Sequence, residues 1–218
     1  MKNVTMMVAV LLAGSASAQQ ISLYPTGPGE DASFVRFVDG TASALEVVSA
    51  AGKIALTPPK PASAYQAVKA KWPVKGSVVQ AGKKIPVNLQ VKPGEFASAI
   101  ALVGPKGLSV QVLRETPDDF NGLKASVGFA SVAGAACADP GLKVDGRDVH
   151  LFEHAKPATV QRRLVNPLAL GVQLTCAGKP VGKAVALGKL EAGERYSVYA
   201  VPSAGSARLL FVHDQVAQ

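Results

Sequence analysis

Apolar and polar side chains alternate with a period of two in short runs along this chain, and the runs stop at Gly, Pro or Asp. This pattern constrains the fold most. A period of two puts successive side chains on opposite faces of a strand and cannot line one face of a helix. Residues 33–39, 85–91, 96–103, 108–115, 124–131, 149–153, 168–175 and 196–201 all read this way. Short strands with turn signals about every 8–12 residues predict an all-β chain of antiparallel sandwiches rather than βαβ units. The 21 glycines and 15 prolines speak against long helices. Segment 62–72, between Pro61 and Pro73, fits a helix of about three turns or an exposed edge strand equally well.

The alternation fills two similar units. Ala32-Ser33-Phe34-Val35-Arg36-Phe37 faces Ala125-Ser126-Val127-Gly128-Phe129 at an offset of 93, and Ala81-Gly82-Lys83 matches Ala177-Gly178-Lys179 at 96. Gly94-Glu95 with Ser98 and Ala101 recurs as Gly193-Glu194 with Ser197 and Ala200 at 99. Order and drift together point to a tandem duplication, which suits a length of 218 residues. The expected layout is two tandem antiparallel β-sandwich domains, residues 19–114 and 123–218, joined by a linker at 115–122 rich in Asp, Pro, Asn and Gly.

Residues 1–18 read as a cleaved signal peptide, with Lys2 before an apolar stretch at 4–13 and Ala16-Ser17-Ala18 at the cleavage site. That stretch is far shorter than the roughly 20 residues that span a bilayer. The periplasm, an oxidising compartment, is the expected destination, and there Cys137 and Cys176 should form a disulfide. Closing the intervening loop of 39 positions would stabilise by about 4 kcal/mol in the chain-entropy model.

Charge divides unequally. Residues 19–114 carry eleven basic and five acidic side chains, whereas 115–218 carry eleven and ten. Such a positive field suits an acidic polysaccharide or an acidic protein face, or serves solubility alone. Nucleic acid is not expected as a partner of an exported chain.

Catalytic and metal signatures are thin. His150-Leu151-Phe152-Glu153-His154 matches the His-x-x-Glu-His zinc pattern by letter. On a strand, however, its histidines would stand roughly 13 Å apart, too far to share one ion. The sequence has no Gly-x-Ser-x-Gly elbow and no Cys pair at zinc spacing. The expectation is a non-catalytic protein with no cofactor and no metal.

Leu23-Tyr24-Pro25-Thr26-Gly27-Pro28, followed by Ser33-Phe34-Val35-Arg36-Phe37, resembles the mature N-terminus of the AlgF family of alginate O-acetylation proteins. Ile85-Pro86-Val87-Asn88-Leu89, Arg163-Leu164-Val165-Asn166-Pro167 and the stretch from Leu187 through Gly193-Glu194 to Tyr199 follow in family order. The cysteines, Pro58-Pro59-Lys60-Pro61 and the Lys-rich first unit are not typical of it. The resemblance implies a periplasmic adaptor for O-acetylation of an exopolysaccharide, alginate or alginate-like. Its implied partners are periplasmic O-acetyltransferases and a membrane-bound acyltransferase; the charge of the first unit adds an anionic polysaccharide as a candidate partner. Tyr24, Arg36, Lys83, Lys84, Arg162 and Arg163 are the candidate contacts for partner or polymer.

Two other classes fit the same layout. A pilus-type chaperone would use Arg162 and Arg163 to hold a client carboxylate. A polysaccharide-binding module would use Tyr24, Trp72, Tyr196 or Tyr199, although each of these rings reads as core or rim.

Overall fold

The computed structural model describes residues 32–117 and 120–217. The signal peptide and Tyr24 lie outside the described residues.

The sixteen strands of the described residues form four four-stranded sheets. In the first half, β1 (Ala32–Asp39), β4 (Gln66–Lys69), β7 (Phe96–Gly104) and β8 (Gly107–Glu115) form an inner sheet in the order β4-β1-β7-β8. The outer sheet has β2 (Leu45–Ser49), β3 (Gly52–Leu56), β5 (Pro73–Gln80) and β6 (Lys83–Gln90) in the order β3-β2-β5-β6.

The second half repeats both sheets. Its inner sheet runs β12-β9-β15-β16, from β9 (Ala125–Ser131), β12 (Gln161–Val165), β15 (Arg195–Ser203) and β16 (Ser206–His213). Its outer sheet runs β11-β10-β13-β14, from β10 (Pro140–Val144), β11 (His150–Phe152), β13 (Ala169–Cys176) and β14 (Lys179–Lys189). A short 3₁₀ turn at Gly134–Ala136 is the one helical element among the described residues. Pairing is antiparallel except for β1 with β7 and β9 with β15, which are parallel. A parallel pair needs a crossover, and in each half the outer sheet supplies it.

Segment 62–72 resolves to the edge-strand alternative, because β4 pairs with β1 over four residues and no helix forms. Glu115, at the head of the expected linker, is the last residue of β8.

The repeat is in a different register from the letter match. Val35 and Phe37 point into the core of the first sandwich, Val127 and Phe129 into that of the second. The hydrogen bond from Gly94 N to Ala32 O recurs as Gly193 N to Lys124 O. The offset at β1 and β9 is therefore 92 and not 93. The identical Ala-Ser pairs misled by one residue, and in a strand one residue exchanges the two faces. The other two offsets stand. Ala81 (φ 47°) and Gly82 (φ 76°) close β5 onto β6 as Ala177 (φ 48°) and Gly178 (φ 74°) close β13 onto β14. Both residues of each turn are left-handed, the geometry that matches hairpin twist.

Each sandwich has its own core, and a third core joins them. Val38, Ile100, Leu102 and Leu113 of the first inner sheet pack with Ala130, Val132, Tyr199, Val201, Leu210 and Val212 of the second. The layers therefore run outer, inner, inner, outer. At the C-terminus, Tyr65 N donates to Gln215 O (2.7 Å) and Ala217 N to Tyr65 O (2.8 Å), tying the tail of the second half to the first.

Candidate functional site

The densest polar chemistry lies inside the junction of the halves. Arg36 is fully buried. A charge inside the apolar run Phe34-Val35-Arg36-Phe37-Val38 can persist there only if it is paired and hydrogen-bonded. Its Nε donates to Ser98 Oγ (2.9 Å), Nη1 to Asp214 Oδ1 (2.6 Å), and Nη2 to Ser197 Oγ (3.0 Å) and Tyr199 Oη (2.5 Å). The Tyr65 ring lies 4.3 Å from its Cζ, a cation–π contact strengthened by desolvation.

Arg162 of β12 enters the same cluster. Its Nε and Nη2 clasp both oxygens of Glu115 (2.6 and 2.8 Å), and Nη2 also reaches Asp214 Oδ2 (2.8 Å). Two guanidiniums thus face two carboxylates. Burial alone would raise the Asp214 carboxyl, but Arg36 and Arg162 outweigh it and hold the group below its ordinary value.

Backbone equivalence explains how the two arginines fit. Arg36 on β1 corresponds to Gly128 on β9, which pairs with Arg162. A Cβ at Gly128 would stand 3.1 Å from Arg162 Cζ, so this glycine makes room for the guanidinium. Ser98 and Ser197 are equivalent positions, as are Glu115 and Asp214.

Arg36 and Arg162 are therefore not partner contacts. Their charge is spent on holding the halves together, and neither is available to a client or a polymer. For Arg36 the sequence signal was present, since a charge flanked by apolar residues on both sides marks a buried pair, but Arg162 stands between Gln161 and Arg163 without that signal, and the acids that answer the two lie 178 and 47 positions away. Asp214, Glu115, Tyr65, Ser98 and Ser197 were missed for that reason.

Lys83 and Lys84 are exposed just after the Ala81-Gly82 turn. Val74 and Val78 point inward from β5, so Lys75 and Val79 point outward, and Lys84, opposite Val79, joins them on the outer face. Arg163 is exposed on β12, its guanidinium 5.8 Å from the Phe152 ring. Tyr196 and Tyr199 are core residues, whereas Trp72 stands at the rim.

The His-x-x-Glu-His stretch is not helical. His150 lies on β11 beside Glu153 (3.6 Å), and His154 hydrogen-bonds Asp139 (2.8 Å). Among the described residues no group of three or more His, Cys, Asp or Glu is placed to hold a metal ion. Cys137 and Cys176 are bonded to each other, joining the start of the second outer sheet to the end of β13.

A cleft of about 710 Å³ opens between the halves, lined by Gly40, Val103, Ala133, Pro202, Gly205 and Arg208 among others. Arg208 Nη2 donates to the Gly40 carbonyl (3.0 Å), and burial pushes its guanidinium below the ordinary value.

No protein-family model and no curated protein matches the chain. Among solved structures, the C-terminal domain of AlgF from P. aeruginosa is 22% identical, with a TM-score of 0.35 over 42% of this chain and 98% of that one. A putative cell adhesion protein from Bacteroides ovatus is 10% identical (TM-score 0.30; 87% of this chain, 99% of that one). A family-26 carbohydrate-binding module from Eubacterium rectale, solved with maltoheptaose, is 12% identical (TM-score 0.28; 82% and 96%).

Proposed function

We propose that the chain is a periplasmic, non-catalytic adaptor required for O-acetylation of an exported exopolysaccharide, alginate or alginate-like, and that it binds the acetyl-transfer partners. The observation that carries this reading is the ordered run of AlgF-like motifs from Leu23 to Tyr199. Two features of the molecule support it. The disulfide suits an oxidising, extracytoplasmic compartment. The halves share a core and a buried ionic lock, so two outer sheets are presented on one support, as a protein that brings partners together requires.

Deleting the gene should leave polymer output intact while the polymer loses ester-linked acetate. The pure protein should neither hydrolyse an activated acetyl ester nor move acetate to a sugar. Normal acetylation in the deletion strain would refute the adaptor, and robust transfer by the isolated chain would make it an enzyme.

A further inference from the structure

Trp72 is the chain's single tryptophan, and 62% of it is exposed. Such a ring has an apolar face and a polar N–H, which suits a ligand that is apolar on one side and wet on the other. The ring sits in the turn between β4, an edge of the inner sheet, and β5 of the outer sheet. That turn is held firmly. Lys71, left-handed at φ 66°, donates its N–H to Val91 O (2.8 Å), and the Gln90 side-chain amide donates to Lys71 O. Trp72 N closes the turn on Lys69 O (3.4 Å).

The surroundings are basic. The Lys69 ammonium lies 4.9 Å from the indole centroid. Lys71 flanks the ring in sequence, Lys75 follows on β5, and Lys92 is next to the Val91 that anchors the turn; all four lysines are exposed. Among the described residues none of their ammonium groups pairs with a carboxylate; the neighbouring acid, Glu95, takes the Arg114 guanidinium (2.8 Å) and the backbone N–H of Lys92 (2.8 Å) instead. The second half gives a control at the same place. There Asn166, Pro167 and Leu168 precede β13, so the aromatic ring and its cations belong to the first half alone.

We propose that Trp72 with Lys69, Lys71, Lys75 and Lys92 binds an anionic polysaccharide. The indole takes the apolar face of a pyranose ring, and the ammonium groups take the carboxylates of that sugar and its neighbours. A lipid surface fits less well. Insertion calls for several apolar side chains together, and the other exposed large hydrophobics, from Val103 to Val216, all lie outside β4, this turn and β5. The proposal deepens the adaptor reading by naming where polymer touches it, and rests on that reading for the presence of polymer in the compartment.

Since the chain has one tryptophan, its fluorescence reports on this site alone. Titrating the mature protein with oligogalacturonate should shift the emission to the blue, protect the indole from acrylamide, and weaken as salt rises. A neutral cello-oligosaccharide at the same concentration should do neither. By calorimetry, Trp72→Ala should bind oligogalacturonate at least about tenfold more weakly, Trp72→Tyr should keep most of the affinity, and Leu168→Ala should match the parent, with all three unfolding in urea like the parent. Absence of binding by the parent chain, or equal binding by Trp72→Ala, overturns the proposal. So does a blue shift with phosphatidylglycerol vesicles and none with the oligosaccharide. Partner capture and polymer acetylation are scored separately. A gene deletion with normal acetylation defeats the adaptor and leaves the binding result standing, while a chain that supports acetylation without binding oligogalacturonate defeats this site only.

Discussion

The two halves share strand order, hairpin turns and the Gly-Glu entry to their last hairpin, yet they differ where they meet and where they face solvent. At the junction the first half places its arginine on β1, beside Tyr65, while the second places its arginine on β12, opposite Gly128. A duplicated chain that kept identical residues there would bring like charges together. Moving one arginine to the neighbouring strand lets two guanidiniums meet two equivalent acids, Glu115 and Asp214. On the outside the asymmetry is simpler. The first half has nine lysines to the second's six and the exposed tryptophan, and the second keeps the disulfide and all three histidines.

Asp214 is the residue on which the junction comparison breaks most severely, because it answers both arginines. Asp214→Ala should cost about 3–5 kcal/mol, the range for removing one partner of a buried ion pair. Urea unfolding followed by circular dichroism should show the loss, and a change below about 1 kcal/mol would mean the lock is not needed. The same carboxyl sets an acid limb. Its folded pKa lies below the ordinary 3.8, so its contribution is complete above that value and fades as pH falls through the folded one. Stability of the parent should drop below about pH 4, and Asp214→Asn should flatten that drop.

The disulfide comes next. Replacing Cys137 and Cys176 by alanine should cost about 2–4 kcal/mol, and the bond belongs to the second half only. If the third core couples the sandwiches, tryptophan fluorescence from the first half and circular dichroism of the whole should still unfold at one midpoint, moved together. Two separated midpoints would show that the halves melt independently.

Eight strands were legible from alternation, and they include the four that build the middle of the inner sheets: β1, β7, β9 and β15. The missed ones have mundane reasons. β14, a run of eleven residues, carries three lysines and two glycines and bends at bulges, so its period of two is broken. β2 and β3 flank Ser49 to Gly52 with little alternation on their exposed face. The junction was illegible for a different cause. Arg36 and Arg162 announce themselves as charged residues, but whether such a residue faces solvent or another sheet depends on how two sandwiches pack, and no local pattern encodes that. Trp72 reads as core or rim from sequence, and only the structure, with its 62% exposure, turns it into a surface feature.

Gly128 gives a smaller and sharper test of the broken symmetry. Gly128→Ala puts a Cβ against a guanidinium already fixed by Glu115 and Asp214. The crowding should outweigh the gain from replacing a strand glycine, with a net loss of about 1–2 kcal/mol. An unchanged or raised midpoint would show that Arg162 can shift at no cost and that the glycine is incidental.

The smallest effect concerns pH near neutrality, where only the second half can respond, since the first has no histidine. His154 is exposed, and its Nδ1 meets both oxygens of Asp139 at 2.8 and 3.0 Å. The hydrogen bond and the charge of Asp139 favour the imidazolium, so the His154 pKa is raised above 6.5. A raised value in the folded state means the pair's contribution is complete below the unfolded pKa and is lost as pH rises through the folded one. Solvent screens so exposed a pair, so titration of the ring is the right measurement and unfolding is not. In a proton NMR titration the His154 midpoint should lie above 6.5, and Asp139→Asn should bring it back toward that value. Because Asp139 lies two residues after Cys137, the same titration in the Cys137→Ala, Cys176→Ala chain asks whether the disulfide holds the pair in place. A His154 midpoint that stays raised there would mean the backbone positions Asp139 without the bridge, whereas a return to 6.5 would assign that positioning to the one covalent link the first half lacks.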